Sequence, residues 1–196
     1  MTRKINRFCT RRSFKLGAWL ALTLGTALAA ARADAACAVV LSVANVQMGN
    51  VTVSSLRTSN MPGYRLMGTR NQVVNVTCTV PQATLRLELS GLTPIIGKPL
   101  VQWGTVGAMQ VRALGATVAG SPVNVKLESL PASVYAQELD LTKSDIVNFD
   151  LTSVPVNNRK SFSLQLQLTG LLPEGLAVRS KEILDSSISV QLLGAQ

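Results

Sequence analysis

Between Ser161 and Thr169 every second residue is apolar: Phe162, Leu164, Leu166 and Leu168 alternate with serine, glutamine and threonine. Successive side chains of an extended strand point to opposite faces, whereas a helix returns its apolar residues every three or four positions. The stretch is therefore expected to be a strand with one face in a core and the other in water. The same period of two runs through residues 84–90, 123–127 and 187–192, and no stretch beyond residue 35 keeps a helical period. Turn-forming residues separate these runs, among them Met61-Pro62-Gly63, Gly120-Ser121-Pro122, Asn157-Asn158 and Pro173-Glu174-Gly175. Many short strands between such breakers describe an all-β sandwich or barrel of about seven to nine strands. Residues 132–139 are expected to form a short helical turn or an irregular loop.

Residues 1–35 have a different character. A basic start (Arg3, Lys4, Arg7, Arg11, Arg12, Lys15) precedes an uncharged apolar run over residues 16–31, and Ala33-Asp34-Ala35 supplies a small-x-small cleavage pattern. The run is shorter than the roughly 20 residues of a membrane span. It is expected to be a cleaved export signal, leaving residues 36–196 as one domain with no integral membrane segment. Thr10-Arg11-Arg12-Ser13-Phe14-Lys15 resembles a twin-arginine export motif, so both the twin-arginine and the general secretory route stay open. Seven of the 19 basic residues lie in this segment, and twelve basic and nine acidic residues remain beyond it. That mild balance, with Arg159-Lys160 the only adjacent basic pair, gives no basic face for nucleic acid.

Export implies an oxidising compartment, and two cysteines, Cys37 and Cys78, remain after Cys9 leaves with the signal. Parity supports their pairing. Cys37 shares a face with Val39, Leu41 and Val43, and Cys78 shares one with Val74 and Val76, so each sulfur points to the side its strand buries.

The chain contains no histidine, which removes the commonest general base and metal ligand. Glu138, Asp140, Asp145 and Asp150 are irregularly spaced in a segment of turn or loop character and read as surface charges. No phosphate-loop or calcium-loop pattern occurs. No catalytic, cofactor-binding or metal site is expected.

Ala36-Cys37-Ala38-Val39, Val46-Gln47-Met48-Gly49-Asn50-Val51, Val74-Asn75-Val76-Thr77-Cys78 and the turn Leu89-Ser90-Gly91 together resemble the first half of a chaperone-usher pilus (fimbrial) subunit. The resemblance implies an immunoglobulin-like β-sandwich without its final strand, used for structure and cell adhesion. In that family a periplasmic chaperone lends a strand to the gap, and an outer-membrane usher then passes the subunit to other pilus subunits, whose extensions replace it. Transferred here, the acceptor groove lies between residues 37–43 and 187–192, with Val39, Leu41, Val43, Ile188, Val190 and Leu192 pointing into it. The pattern departs from the family at both ends. With cleavage after Ala35 only Ala36 precedes Cys37, so the chain is expected to accept a strand and not to donate one. Its last residues, Leu192-Leu193-Gly194-Ala195-Gln196, lack the family's penultimate aromatic.

Two other readings stand beside this one. A complete exported sandwich would bind a carbohydrate or a periplasmic partner, with Trp103 and the glycine-rich residues 97–107 as its contact surface. Trp103 also suits a core plug, the more frequent place for such a residue. An exported enzyme is the third, suggested by the twin-arginine pattern alone.

Overall fold

The computed structural model describes residues 37–42, 48, 52–131, 134–176 and 187–193, all within the unit Ala33–Gln196. Expected positions outside them, Val43 of the groove among these, lie outside the described residues. In chain order the strands are β1 (Cys37–Leu41), β2 (Arg57–Thr58), β3 (Tyr64–Cys78), β4 (Arg86–Ser90), β5 (Val101–Trp103) and β6 (Gly107–Val118). They continue with β7 (Ser121–Val123), β8 (Val125–Leu127), β9 (Leu139–Leu141), β10 (Asp145–Phe149), β11 (Ser161–Pro173) and β12 (Ser189–Leu192). These exceed the seven to nine expected because several long edges are covered by short pieces. Among the described residues no helix is long and apolar enough to cross a membrane.

The strands form two antiparallel sheets. The eight-stranded sheet runs β1-β3-β11-β6-β5, with β2 on β3 and with β7 and β9 on β6; the four-stranded sheet runs β12-β4-β10-β8. Six of the strands, β1, β3, β4, β6, β11 and β12, taken in chain order as A to F, give A-B-E-D in one sheet and C-F in the other, with β10 and β8 added beyond β4. That is the order of the immunoglobulin sandwich, in which a further strand G flanks F. Among the described residues nothing pairs with the side of β12 where G would lie.

Alternation explains the core. The inward rows of β11 (Phe162, Leu164, Leu166, Leu168) and β4 (Leu87, Leu89) are buried, as their period of two predicts. Phe149 of β10 and Phe162 of β11 meet edge to face, ring centroids 5.9 Å apart, and tie the two sheets together. The run at 123–127 proves not to be one strand. Val123 ends β7 on the larger sheet and Val125 begins β8 on the smaller, so the chain changes sheet at Asn124, whose carbonyl accepts from Asp150 N at 2.8 Å.

Two of the four carboxylates read as surface charges of turns or loops lie in strands, while Glu138 and Asp150 lie outside them. Asp140 lies in β9 and Asp145 opens β10. Asp145 accepts hydrogen bonds from Ser129, and Asp150 from the backbone and hydroxyl of Thr152, so these two fasten turns. Arg159 braces the loop before β11, its guanidinium donating to the carbonyls of Val154 (2.9 Å) and Leu151 (2.8 Å).

Candidate functional site

Cys37 and Cys78 face each other as register partners of β1 and β3 and are joined by a disulfide, with Cα atoms 4.0 Å apart. The bridge thus staples an edge strand to the strand it is hydrogen-bonded to, β3. At the other end of β1, Ser42 N donates to Val73 O (2.8 Å) and Val73 N donates to Ser42 Oγ (2.9 Å). A five-residue strand held on one side is secured at both ends.

Among the described residues, other long edges are covered by short pieces of the same chain. The outer side of β6 is filled end to end by three short strands: β5 against Gly107–Met109, β9 against Val111–Ala113 and β7 against Ala116–Val118. Outside β5, Gln102 N donates to Thr93 O, and outside β8, Val125 and Ala136 exchange backbone hydrogen bonds at 2.9 Å. Proline in β7 and charges in β8 and β9 (Pro122, Lys126, Asp140) further protect those edges.

The edge shared by β1 and β12 is built differently. The two strands end their respective sheets on the same side of the sandwich and lie against each other, and neither has a second backbone partner among the described residues. Their sequences, CAVVL and SVQL, contain no charge and no proline, the usual safeguards of an exposed edge. The inward side chains are Val39 and Leu41 from β1, Val190 and Leu192 from β12, and Ile188 just before it. All five are only half-buried although they pack on the core. Their register partners are sealed: Val76 is 1% exposed, while Val74, Leu89 and Leu87 are at 0%. The exposure is therefore on the side away from the paired strand, along the edge that β1 and β12 share. Five of the six residues expected to line a groove are brought together there, and Val43 is the one outside the described residues.

Gly91 sets the approach of β12. Its φ of +86° is one that L side chains rarely adopt, and a β-carbon there would collide with the carbonyl oxygen of Ser187. The turn after β4 can therefore pass directly beneath the start of the last strand only with glycine at this point.

Trp103 is placed in the core, 8% exposed, with its ring over Gly170. The indole is therefore packed as a core plug and its face is not turned to solvent, whereas residues 97–99, 102 and 105 around it are exposed. Among the described residues no group of three or more Cys, Asp or Glu side chains is arranged to hold a metal ion.

A second feature gave no motif in the sequence. On the outer face of the larger sheet Arg112 pairs with Asp140 (Nε to Oδ1, 3.0 Å) and approaches Glu138 (3.7 Å), while Gln110 also donates to Asp140 at 3.2 Å. The hydrogen bond to Asp140, followed by that carboxylate's charge, raises the Arg112 pKa above its ordinary value; partial burial opposes this and Glu138 adds to it. The available signal was the outward row of β11, Gln165, Gln167 and Thr169, since a polar row on a long central strand must face either water or a ligand.

No family model and no curated protein matches this chain.

Proposed function

We propose that the protein is a structural subunit of a fimbrial type, exported and assembled at the cell surface by accepting a strand from a partner between β1 and β12, and so contributing to adhesion. The observation that carries this reading is the pairing of two unprotected edges on one side of the sandwich, with Val39, Leu41, Ile188, Val190 and Leu192 half-covered between them. An extended segment laid there would bond to backbone groups that have no second strand partner among the described residues and cover those side chains with its own alternate residues, the physics of β-augmentation. A periplasmic chaperone would supply that segment during export and a neighbouring subunit would supply it in the fibre, as the resemblance to chaperone-usher subunits implies. No covalent chemistry is required, because the work is done by burial and backbone pairing.

The test is a thermal titration of the protein with synthetic peptides. A peptide with apolar residues at alternate positions is expected to raise the melting temperature in proportion to the logarithm of its concentration, as a ligand of the folded state must. A peptide of the same composition with its apolar residues clustered should not. An unchanged melting temperature with the alternating peptide, from a protein that remains a stable monomer on its own, would refute strand acceptance.

A further inference from the structure

Two cross-strand rows occupy the middle of the outer face of the larger sheet. Register places Gln167 beside Arg112 and Arg112 beside Asp140; the adjacent row sets Thr169 between Thr69 and Gln110. Neighbouring strands are about 4.8 Å apart, so these amides and hydroxyls stand as a flat polar grid. One step further the pairing of β11 with β3 shifts between Gly170 and Leu171. Bulges of this kind re-aim side chains, and Leu171 turns into a second apolar cluster with Tyr64, Leu100 and Ala108, against which Met61 and Leu66 pack. The loop at residues 58–61 forms a wall, and the depression it closes has a volume near 390 Å³.

We propose that this depression binds a neutral saccharide. Its one lining cation, Arg112, already faces Asp140 and Glu138, so an anionic ligand would meet no spare positive charge. An extended peptide has no ladder to join at its centre, because β11 is paired on both sides along these rows. What remains is neutral and both donates and accepts. The hydroxyls of Thr69 and Thr169 lie 3.3 Å apart, where either is able to serve as donor, and the Gln167 carboxamide has no side-chain partner among the described residues. Met61 and Leu66, both partly exposed, supply an apolar rim beside these groups. Vicinal hydroxyls on a ring with an apolar C–H face complement that combination. The site is separate from the β1–β12 edge, so it stands or falls independently of strand acceptance.

The probe is an array of immobilised oligosaccharides, neutral ones beside sialylated and sulfated ones, read with the full protein. Binding is expected to neutral members, and Gln167→Leu with Thr169→Val should weaken it about tenfold or more, the worth of one or two hydrogen bonds. Ser163→Ala, on the outer row of the same strand but outside the depression, should leave it unchanged. In the unmutated protein, the binding oligosaccharide should shift amide resonances at Thr69, Gln110 and Gln167. The proposal is overturned by no binding on the array, by binding confined to acidic glycans, by binding indifferent to the double substitution, or by shifts that map elsewhere.

Discussion

A β-carbon on Gly170 would stand 2.5 Å from Cζ3 of Trp103, closer than two carbons approach in folded proteins. Residue 170 is the last of β11 before its pairing with β3 shifts register, so the indole both fills the core and marks where the strand bends.

Gly170→Ala is accordingly expected to destabilise the fold by about 1–3 kcal/mol through overpacking, measured by denaturant unfolding. Trp103→Leu in the same chain should recover part of that loss, because the two substitutions act on one contact and cannot be additive. Additive effects would show that the indole is not what excludes a side chain at 170.

Gly91→Ala combines a left-handed backbone conformation with a collision against the Ser187 carbonyl. Left-handed placement alone costs on the order of 1–2 kcal/mol, and relief of the collision requires β12 to move off β4. Hydrogen exchange should therefore accelerate at Gln191 and Leu193, whose amides face β4, before it does in β11. Uniform acceleration across both sheets would contradict a local role.

Replacing both Cys37 and Cys78 with alanine removes a cross-link spanning 41 residues. In the chain-entropy account this is worth about 4 kcal/mol. The loss should also be uneven, with β1 freed first, since the bridge and the Ser42–Val73 hydrogen bonds are the fastenings at its two ends. Proteolysis near residue 40 in the double variant, with β11 still protected, is the expected signature.

How far the sequence discloses these features depends on unbroken parity. β4 and the first half of β11 were legible because Leu87, Leu89, Phe162, Leu164 and Leu166 keep a strict period of two. β6 was not, although it is one of the longest strands. Its pairing with β11 shifts between Gln165 and Leu166, leaving Leu114 as an extra residue, so buried positions fall at 109, 111 and 113 and then at 116 and 118. The first half of β3 was missed for a different reason: in residues 65–71 the adjacent Leu66 and Met67 pack on two different apolar clusters and the rest are polar or glycine, so no single buried face imposes alternation. The edge strands β1 and β12 were visible from their apolar parity. That they lie side by side is a property of strand order, which alternation does not encode.

The Arg112–Asp140–Glu138 group should matter little to stability. All three side chains are more than a third exposed, and ion pairs in that setting contribute about 0–1 kcal/mol. A raised arginine pKa adds stability that is fully present below the ordinary arginine value and is lost only as pH rises through the raised one. Asp140→Asn is thus expected to shift unfolding free energy by less than about 1 kcal/mol at neutral pH, with a difference that shrinks in high salt.

Strand acceptance makes its sharpest demand on alternate residues of β12. Val190 and Leu192 face the gap, whereas Ser189 and Gln191 face solvent. An aspartate at 190 is half in water while the edge is open, so Val190→Asp should leave the isolated protein folded. Once a strand covers the gap, that carboxylate is shut away from water without a counter-charge, at a cost of several kcal/mol. Peptide-dependent thermal stabilisation should therefore vanish in Val190→Asp and persist in Gln191→Asp, whose carboxylate stays outside. Equal losses in the two variants would mean that the added peptide binds by charge and not by filling the space between the sheets.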